Sequence, residues 1–266
     1  TTAKNILFLG YDEKETVLIE ELRKIGCIVS HSQNKFSDAT QYDLIISFGY
    51  RHIIKEEILS NLDVPIINLH ISYLPWNKGS HPNFWSFYDC TPSGVTIHLI
   101  DSGIDTGPII FQKYVNFDDN ELTFKDTHKR LISEIEKLFI SNIEDIVNGK
   151  YSLKPQRRKG TSHKKREIPK QFSGWDSNIE KEIIRLDKLL KIENFLVTKQ
   201  KHISNNKTPL AFESRDGSLI SLNWINKCPS KVILKLRNAE HVLLSIDQER
   251  ISLEDHQKFL SDYLEI

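Results

Sequence analysis

Short apolar runs alternate with amphipathic stretches through the first half of the chain. Asn5-Ile6-Leu7-Phe8-Leu9-Gly10 is apolar throughout and ends in glycine, which predicts a buried parallel strand. Glu13 to Ile25 carries Val17, Leu18, Leu22 and Ile25 at helical spacing, with Gly26 as a stop. Further strands are expected at Cys27–Ser30, Asp43–Phe48 and Val64–Leu69, with a short helix at Glu56–Leu62. Asn83–Tyr88 follows Pro82 and reads as a helix whose aromatics belong to the core. Gly94–Ile100 alternates as a strand that puts His98 on the face opposite Val95, Ile97 and Leu99. Ile109–Phe117 is its return partner. Glu121–Asn148 predicts the longest helix, with a stripe running from Phe124 to Val147 and Gly149 at its end.

Strand and helix in alternation predict an α/β fold, a Rossmann-like, mostly parallel twisted sheet with right-handed crossovers. Beyond residue 175 a helix is expected at Asp176–Leu190. Strands follow at Leu219–Ile225, Val232–Leu236 and Val242–Ile246, then a closing helix at Ser252–Leu264. The predicted organisation is a catalytic domain at 1–150, a basic connector at 151–175 and a smaller C-terminal β-rich module at 176–266.

Composition narrows the function classes. The 266 residues are 39% hydrophobic and 27% charged, ordinary for a soluble chain. No apolar stretch approaches the roughly 18 residues of a membrane span. The run at the start is too short for a signal peptide, so a cytoplasmic protein without a membrane partner is expected. Lys plus Arg equal Asp plus Glu at 36 each, which argues against nucleic acid as a partner. Three dispersed cysteines predict neither disulfides nor zinc, and no metal is expected. The segment Arg157–Arg166 holds six Lys or Arg in ten positions. It reads either as a solvated linker or as a phosphate-contacting loop.

Asp12 and Lys14 stand where a dinucleotide fingerprint would need glycines, so the usual pyrophosphate grip is missing. A ligand is expected elsewhere along the carboxyl ends of the strands. One such end is Gly49-Tyr50-Arg51-His52, where Ile53 and Ile54 either cover a flat heterocycle or lead into a capped helix. The richest span runs from Asn68 to Pro108. Asn68 and His70 leave their strand on one face. Asp101-Ser102-Gly103-Ile104-Asp105 is a tight loop with carboxylates and free amides, without the spacing of a calcium loop. An amide, an imidazole and a carboxylate at strand ends suit acyl transfer to an amine. The oxyanion needs a donor, the amine a proton acceptor, and the acceptor an orienting charge.

NLHISYLP followed by DSGIDTGPII resembles the formyltransferases that use N10-formyltetrahydrofolate. The resemblance implies Asn68, His70 and Asp105 as catalytic residues. It implies a folate pterin along Tyr50, Arg51, His52 and Ile53 and against Asp101, Ser102, Gly103 and Ile104. SYLPWNKGSHPNFW departs from the turn of the tRNA and purine enzymes and is similar to bacterial nucleotide-sugar N-formyltransferases. That implies a dTDP- or GDP-linked amino-dideoxy sugar as substrate, with dTDP-4-amino-4,6-dideoxyglucose in first place, for O-antigen or other surface polysaccharide. A dTDP-3-amino-3,6-dideoxyhexose and GDP-perosamine are the alternative sugars. Trp76, Lys78, Gly79 and Asn83 are the expected substrate contacts, and a homodimer is implied. Two other classes stay open: methionyl-tRNA formylation and a non-catalytic nucleotide-binding module.

Overall fold

The computed structural model describes residues 3–35, 40–54, 56–117 and 122–189, and the strand segments 211–213, 219–221, 245–246 and 249–250. It divides into two compact units, Thr1–Val197 and Thr198–Ile266.

The first unit is built on a six-stranded sheet. Its strands are β1 (Asn5–Gly10), β2 (Ile28–Ser32), β3 (Leu44–Phe48), β4 (Ile66–His70), β6 (Gly94–Leu99) and β7 (Ile109–Tyr114), in the order β2-β1-β3-β4-β6-β7. The four strands from β2 to β4 run parallel, while β6 is antiparallel to both β4 and β7. The sheet is therefore mixed, and the reversal falls beside β4.

Alternation along the strands splits the core into two layers. Ile6, Phe8, Ile46, Phe48, Ile67, Leu69, Val95 and Ile97 share one cluster with α1 (Leu18–Lys24), α4 (Phe124–Ser141) and α5 (Ile143–Val147). Leu7, Leu9, Ile45 and Ile66 face the other side, where Leu59 of α2 (Glu56–Leu59) and Leu62 pack on them. Strands buried on both faces read as continuous apolar runs for this reason. Asn68 lies at the middle of β4 and His70 at its carboxyl end.

Thr123 caps α4 through a capping box with Asp126, so the chain starts that helix sharply. The expected single helix to Asn148 is broken at Asn142, whose side-chain amide donates to the Leu138 carbonyl at 2.7 Å. The apolar stripe runs on through Ile143 and Ile146, which hides the break from periodicity. A third cluster joins Phe84, Trp85 and Phe87 of α3 (Pro82–Tyr88) to Phe124 and to Ile179, Ile183 and Leu186. The last three lie on helical residues 179–189, here α6.

Two short parallel strands, β5 (Lys78–Gly79) and β8 (Ser162–His163), tie the basic connector to the loop after β4. In the second unit, Ala211–Glu213 pairs antiparallel with Leu219–Ser221, and Ser245–Ile246 with Glu249–Arg250. The strand expected at 232–236 and the helix expected at 252–264 lie outside the described residues.

Candidate active site

The site is assembled where β4 meets its antiparallel neighbour. Asn68 and His98 are direct partners across the β4–β6 pair, so their side chains leave on one face. The Asn68 amide Nδ2 lies 3.2 Å from His98 Nε2 and donates to Asp105 Oδ1 at 3.2 Å. His98 Nδ1 lies 2.7 Å from the Leu99 carbonyl and donates to it, which turns Nε2 toward the Asn68 amide and Asp105. His70 Nε2 lies 3.1 Å from the Asn77 carbonyl and donates to it, so Nδ1 is its acceptor nitrogen.

Asp105 is the centre of the arrangement. Its Oδ1 sits 3.5 Å from His98 Nε2 and its Oδ2 3.6 Å from His70 Nε2. The Gly79 backbone N–H donates to Oδ2 at 2.8 Å. Burial by itself would raise the Asp105 carboxyl. The His70 charge, the hydrogen bond and charge of His98, and the Gly79 N–H outweigh it and hold the group well below the usual carboxylate range. Asp105 is thus a carboxylate at every working pH.

The loop that presents Asp105 is braced from both sides. Asp101 Oδ1 accepts from the Gly103 N–H at 3.0 Å and from the Thr106 hydroxyl at 2.6 Å. Gln156 Nε2 donates to the Asp105 carbonyl at 3.0 Å and the Gly107 carbonyl at 2.8 Å. Asp105 itself has φ +51, in the left-handed region. Such strain in a non-glycine residue persists only where the surroundings impose it, commonly at functional sites.

A second brace holds Asn77, which is fully buried and also left-handed at φ +56. Its N–H donates to the Thr161 hydroxyl oxygen at 2.8 Å, and that hydroxyl donates back to Asn77 Oδ1 at 3.0 Å. Asn77 Nδ2 donates to the Thr91 hydroxyl oxygen at 2.7 Å. Ser80 N–H reaches the His163 carbonyl at 2.9 Å, and the His163 ring stacks on Trp85 with centroids 4.0 Å apart. His163 also pairs with Asp89 at 3.0 Å. The connector is therefore seated against the site over Thr161–His163.

These residues open into a cleft of about 540 Å³. Asn68, His70, His98, Gly79 and Asp105 line it, together with Tyr50, Arg51, His52 and Ile53 and with Asp101, Ser102, Gly103 and Ile104. Ile53 and Ile104 stand 77% and 56% exposed at its rim, apolar groups in a position to cover a flat ring. The connector contributes His163, Lys164 and Lys165 to the same cleft.

Trp76, Lys78 and Asn83 are not among the residues lining it. Lys78 is buried beside it, its amine donating to the Lys159 carbonyl at 3.2 Å, and burial lowers that amine's pKa. Asn83 is buried in α3 and donates to the Phe124 carbonyl at 2.8 Å. Trp76 is half-buried.

Sequence reasoning missed His98 and Asn77, and named Gly79 as a substrate contact without its N–H bond to Asp105. His98 was visible as a polar residue on the face opposite an apolar triplet. Its pairing with Asn68 depends on a sheet register that the local pattern does not contain.

Residues 29–143 match the family model described as "Formyl transferase". The chain is 41% identical to the solved formyltransferase PseJ from Anoxybacillus kamchatkensis, in complex with UDP-4,6-dideoxy-4-formamido-L-AltNAc and tetrahydrofolate. That match covers 66% of this chain and 96% of that one, with a TM-score of 0.62. It is 31% identical over 145 residues to the methionyl-tRNA formyltransferase of Thermotoga neapolitana, covering 52% of this chain and 46% of that protein. It is 28% identical over 128 residues to the dTDP-4-amino-4,6-dideoxyglucose formyltransferase of Mycobacterium bovis, covering 48% of this chain and 53% of that one. The chain spans about half the length of these curated relatives. With PseJ matched over nearly its whole length, the chain belongs to the formyltransferase family.

Proposed function

We propose that the protein transfers a formyl group from N10-formyltetrahydrofolate to the amine of a nucleotide-linked 4-amino-4,6-dideoxy sugar. One observation carries this reading: Asn68, His70, His98 and Asp105 converge at one end of a cleft whose other walls are the segments 50–54 and 100–104. The apolar rim and the exposed backbone of those segments suit a flat pterin. The cosubstrate supplies the activated formyl carbon, and the protein supplies position and charge.

Asn68 is the donor for the oxyanion that develops on the formyl oxygen. Both of its present contacts are 3.2 Å, long enough for one to be exchanged for the substrate. His70, with Nε2–H anchored on Asn77, offers Nδ1 to the proton released by the attacking amine and returns it to N10 of the folate as the formyl carbon–N10 bond breaks, so that tetrahydrofolate leaves. Asp105 has both oxygens engaged and remains ionised. It orients the two imidazoles and stabilises positive charge on them instead of cycling a proton itself.

For the nucleotide, the 41% identity to a UDP-sugar formyltransferase supports UDP ahead of dTDP or GDP. The curated relative that acts on a dTDP-sugar is 28% identical. Formylation of methionyl-tRNA is the second reading, favoured by the 31% identity to such an enzyme and by the basic connector. Incubation with N10-formyltetrahydrofolate and a panel of UDP-, dTDP- and GDP-linked amino sugars, read by mass spectrometry, separates the sugar readings. Formylation of initiator methionyl-tRNA, with no sugar formamide, would favour the second.

A further inference from the structure

The loop that carries Asp105 returns to the sheet at Ile109, and there the connector lies along the free edge of β7. The Ile109 N–H donates to the Lys154 carbonyl at 2.8 Å, and the Lys154 N–H donates back at 2.9 Å. Pro155 comes next, at a position whose N–H would point away from the partner, so it breaks no bond of this pair. At the following position, Gln156, the side-chain amide takes over. Its Nε2 donates to the Gly107 carbonyl at 2.8 Å and to the Asp105 carbonyl at 3.0 Å. Both partners are acceptors, so the amide nitrogen has to face them. Oε1 is left buried, with no hydrogen-bond partner among the described residues. A buried acceptor without a donor is costly, so the side chain is held in place by what its nitrogen donates.

The Asp105 loop needs that outside support. Asp101 ties the loop internally through the Gly103 N–H and the Thr106 hydroxyl, but neither bond reaches the Asp105 carbonyl. A donor on that carbonyl fixes the peptide plane after Asp105, a residue in the left-handed region at φ +51. The same connector grips the loop after β4 a few residues later. The Lys78 N–H donates to the Thr161 carbonyl at 3.0 Å, the Thr161 N–H to the Pro75 carbonyl at 3.3 Å and the Ser80 N–H to the His163 carbonyl at 2.9 Å. Residues 154–163 therefore hold the loop of Asp105 at one end and, at the other, the loop whose Asn77 carbonyl anchors His70.

We propose that Gln156 is a positioning residue of the transfer step, acting through Asp105, and that the connector from Lys154 to His163 sets the spacing between Asp105 and His70. The inference rests on the formyl-transfer reading above and extends it to a side chain that does not line the cleft. A misplacement of about 1 Å in such a constellation can lower the rate about 10²-fold.

Gln156→Glu keeps the shape and sets an oxygen against the two carbonyls. At about pH 8 it should lower kcat about tenfold or more in steady-state assays with N10-formyltetrahydrofolate and a UDP-linked 4-amino-4,6-dideoxy sugar. The KM for the folate should change little, because Asp101 still holds residues 101–106. Burial raises the new carboxyl, so as the pH is lowered toward about 6 it takes up a proton and can donate one bond again. Activity relative to wild type at the same pH should then rise, a recovery that a weakened fold would not give. Gln156→Ala removes the donor without adding charge and should lower kcat with no such recovery. In both variants the Gly79 N–H, which donates to Asp105 Oδ2, should lose protection in amide hydrogen exchange at about pH 8. The inference is overturned if either variant keeps kcat within about twofold of wild type at that pH, or if Gly79 stays as protected as in the wild type. If the wild type makes no formamide from any UDP-, dTDP- or GDP-linked amino sugar, the formyl-transfer reading fails, and Gly79 exchange alone decides whether Gln156 places Asp105.

Discussion

At the scale of the residue, the site is a carboxylate with four neighbours. Each Asp105 oxygen meets one N–H donor and one imidazole. Removing the Asn68 amide takes away the proposed oxyanion donor, an effect of about 2.7–4 kcal/mol in comparable sites. Asn68→Ala should therefore lower kcat by about 10²–10³-fold with far less change in KM, as steady-state kinetics would record. The depressed pKa of Asp105 has a sign that can be followed in stability. A carboxyl lowered on folding contributes stability that is fully present above its unfolded value of about 3.9 and is lost as pH falls through the folded one. Urea unfolding of wild type and Asp105→Asn should differ by a constant amount above about pH 5, and the gap should shrink below about pH 4. A gap that widens on acidification would contradict this assignment. Asn68, His70 and Asp105 were legible in the sequence because each ends an apolar run or sits in a Gly- and Asp-rich loop. His98 was not, since its meaning comes from a partner strand.

At the scale of the element, the paired strands β5 and β8 decide how rigid the site is. Gly79 sits at φ +86, and a Cβ there would run into the His163 carbonyl oxygen. Gly79→Ala should therefore pull β5 from β8 and move the N–H that holds Asp105. We expect a loss of about 1–3 kcal/mol in urea unfolding and a drop in kcat. Thr161→Val strips the buried Asn77 N–H of its acceptor, at a cost of about 1–3 kcal/mol. Because the Asn77 carbonyl orients His70, kcat should fall more than the KM for folate. The basic connector read from sequence as either linker or phosphate loop. Its composition is polar, and what seats it is a run of backbone hydrogen bonds to residues 77–80 that carries no apolar signature. The central parallel strands β1, β3 and β4, buried on both faces, were the easiest elements to read. The break in the long helix at Asn142 was hidden because the stripe continues across it.

At the scale of the whole molecule, the first unit carries the cleft. The chain is neutral overall, and its connector concentrates six Lys or Arg in the ten positions 157–166. That suits a compact anionic ligand better than a long polyanion. The mixed sheet explains why the site lies where it does: the parallel strands end at β4, and β6 returns from the opposite direction with His98. The measurement closest to the central claim is product formation by the full chain with N10-formyltetrahydrofolate and a UDP-linked 4-amino-4,6-dideoxy sugar, followed by mass spectrometry. The account predicts a formamide product from the wild type and almost none from Asn68→Ala or Asp105→Asn. Absence of formamide from every nucleotide-linked amino sugar, or equal turnover by these variants, would contradict it.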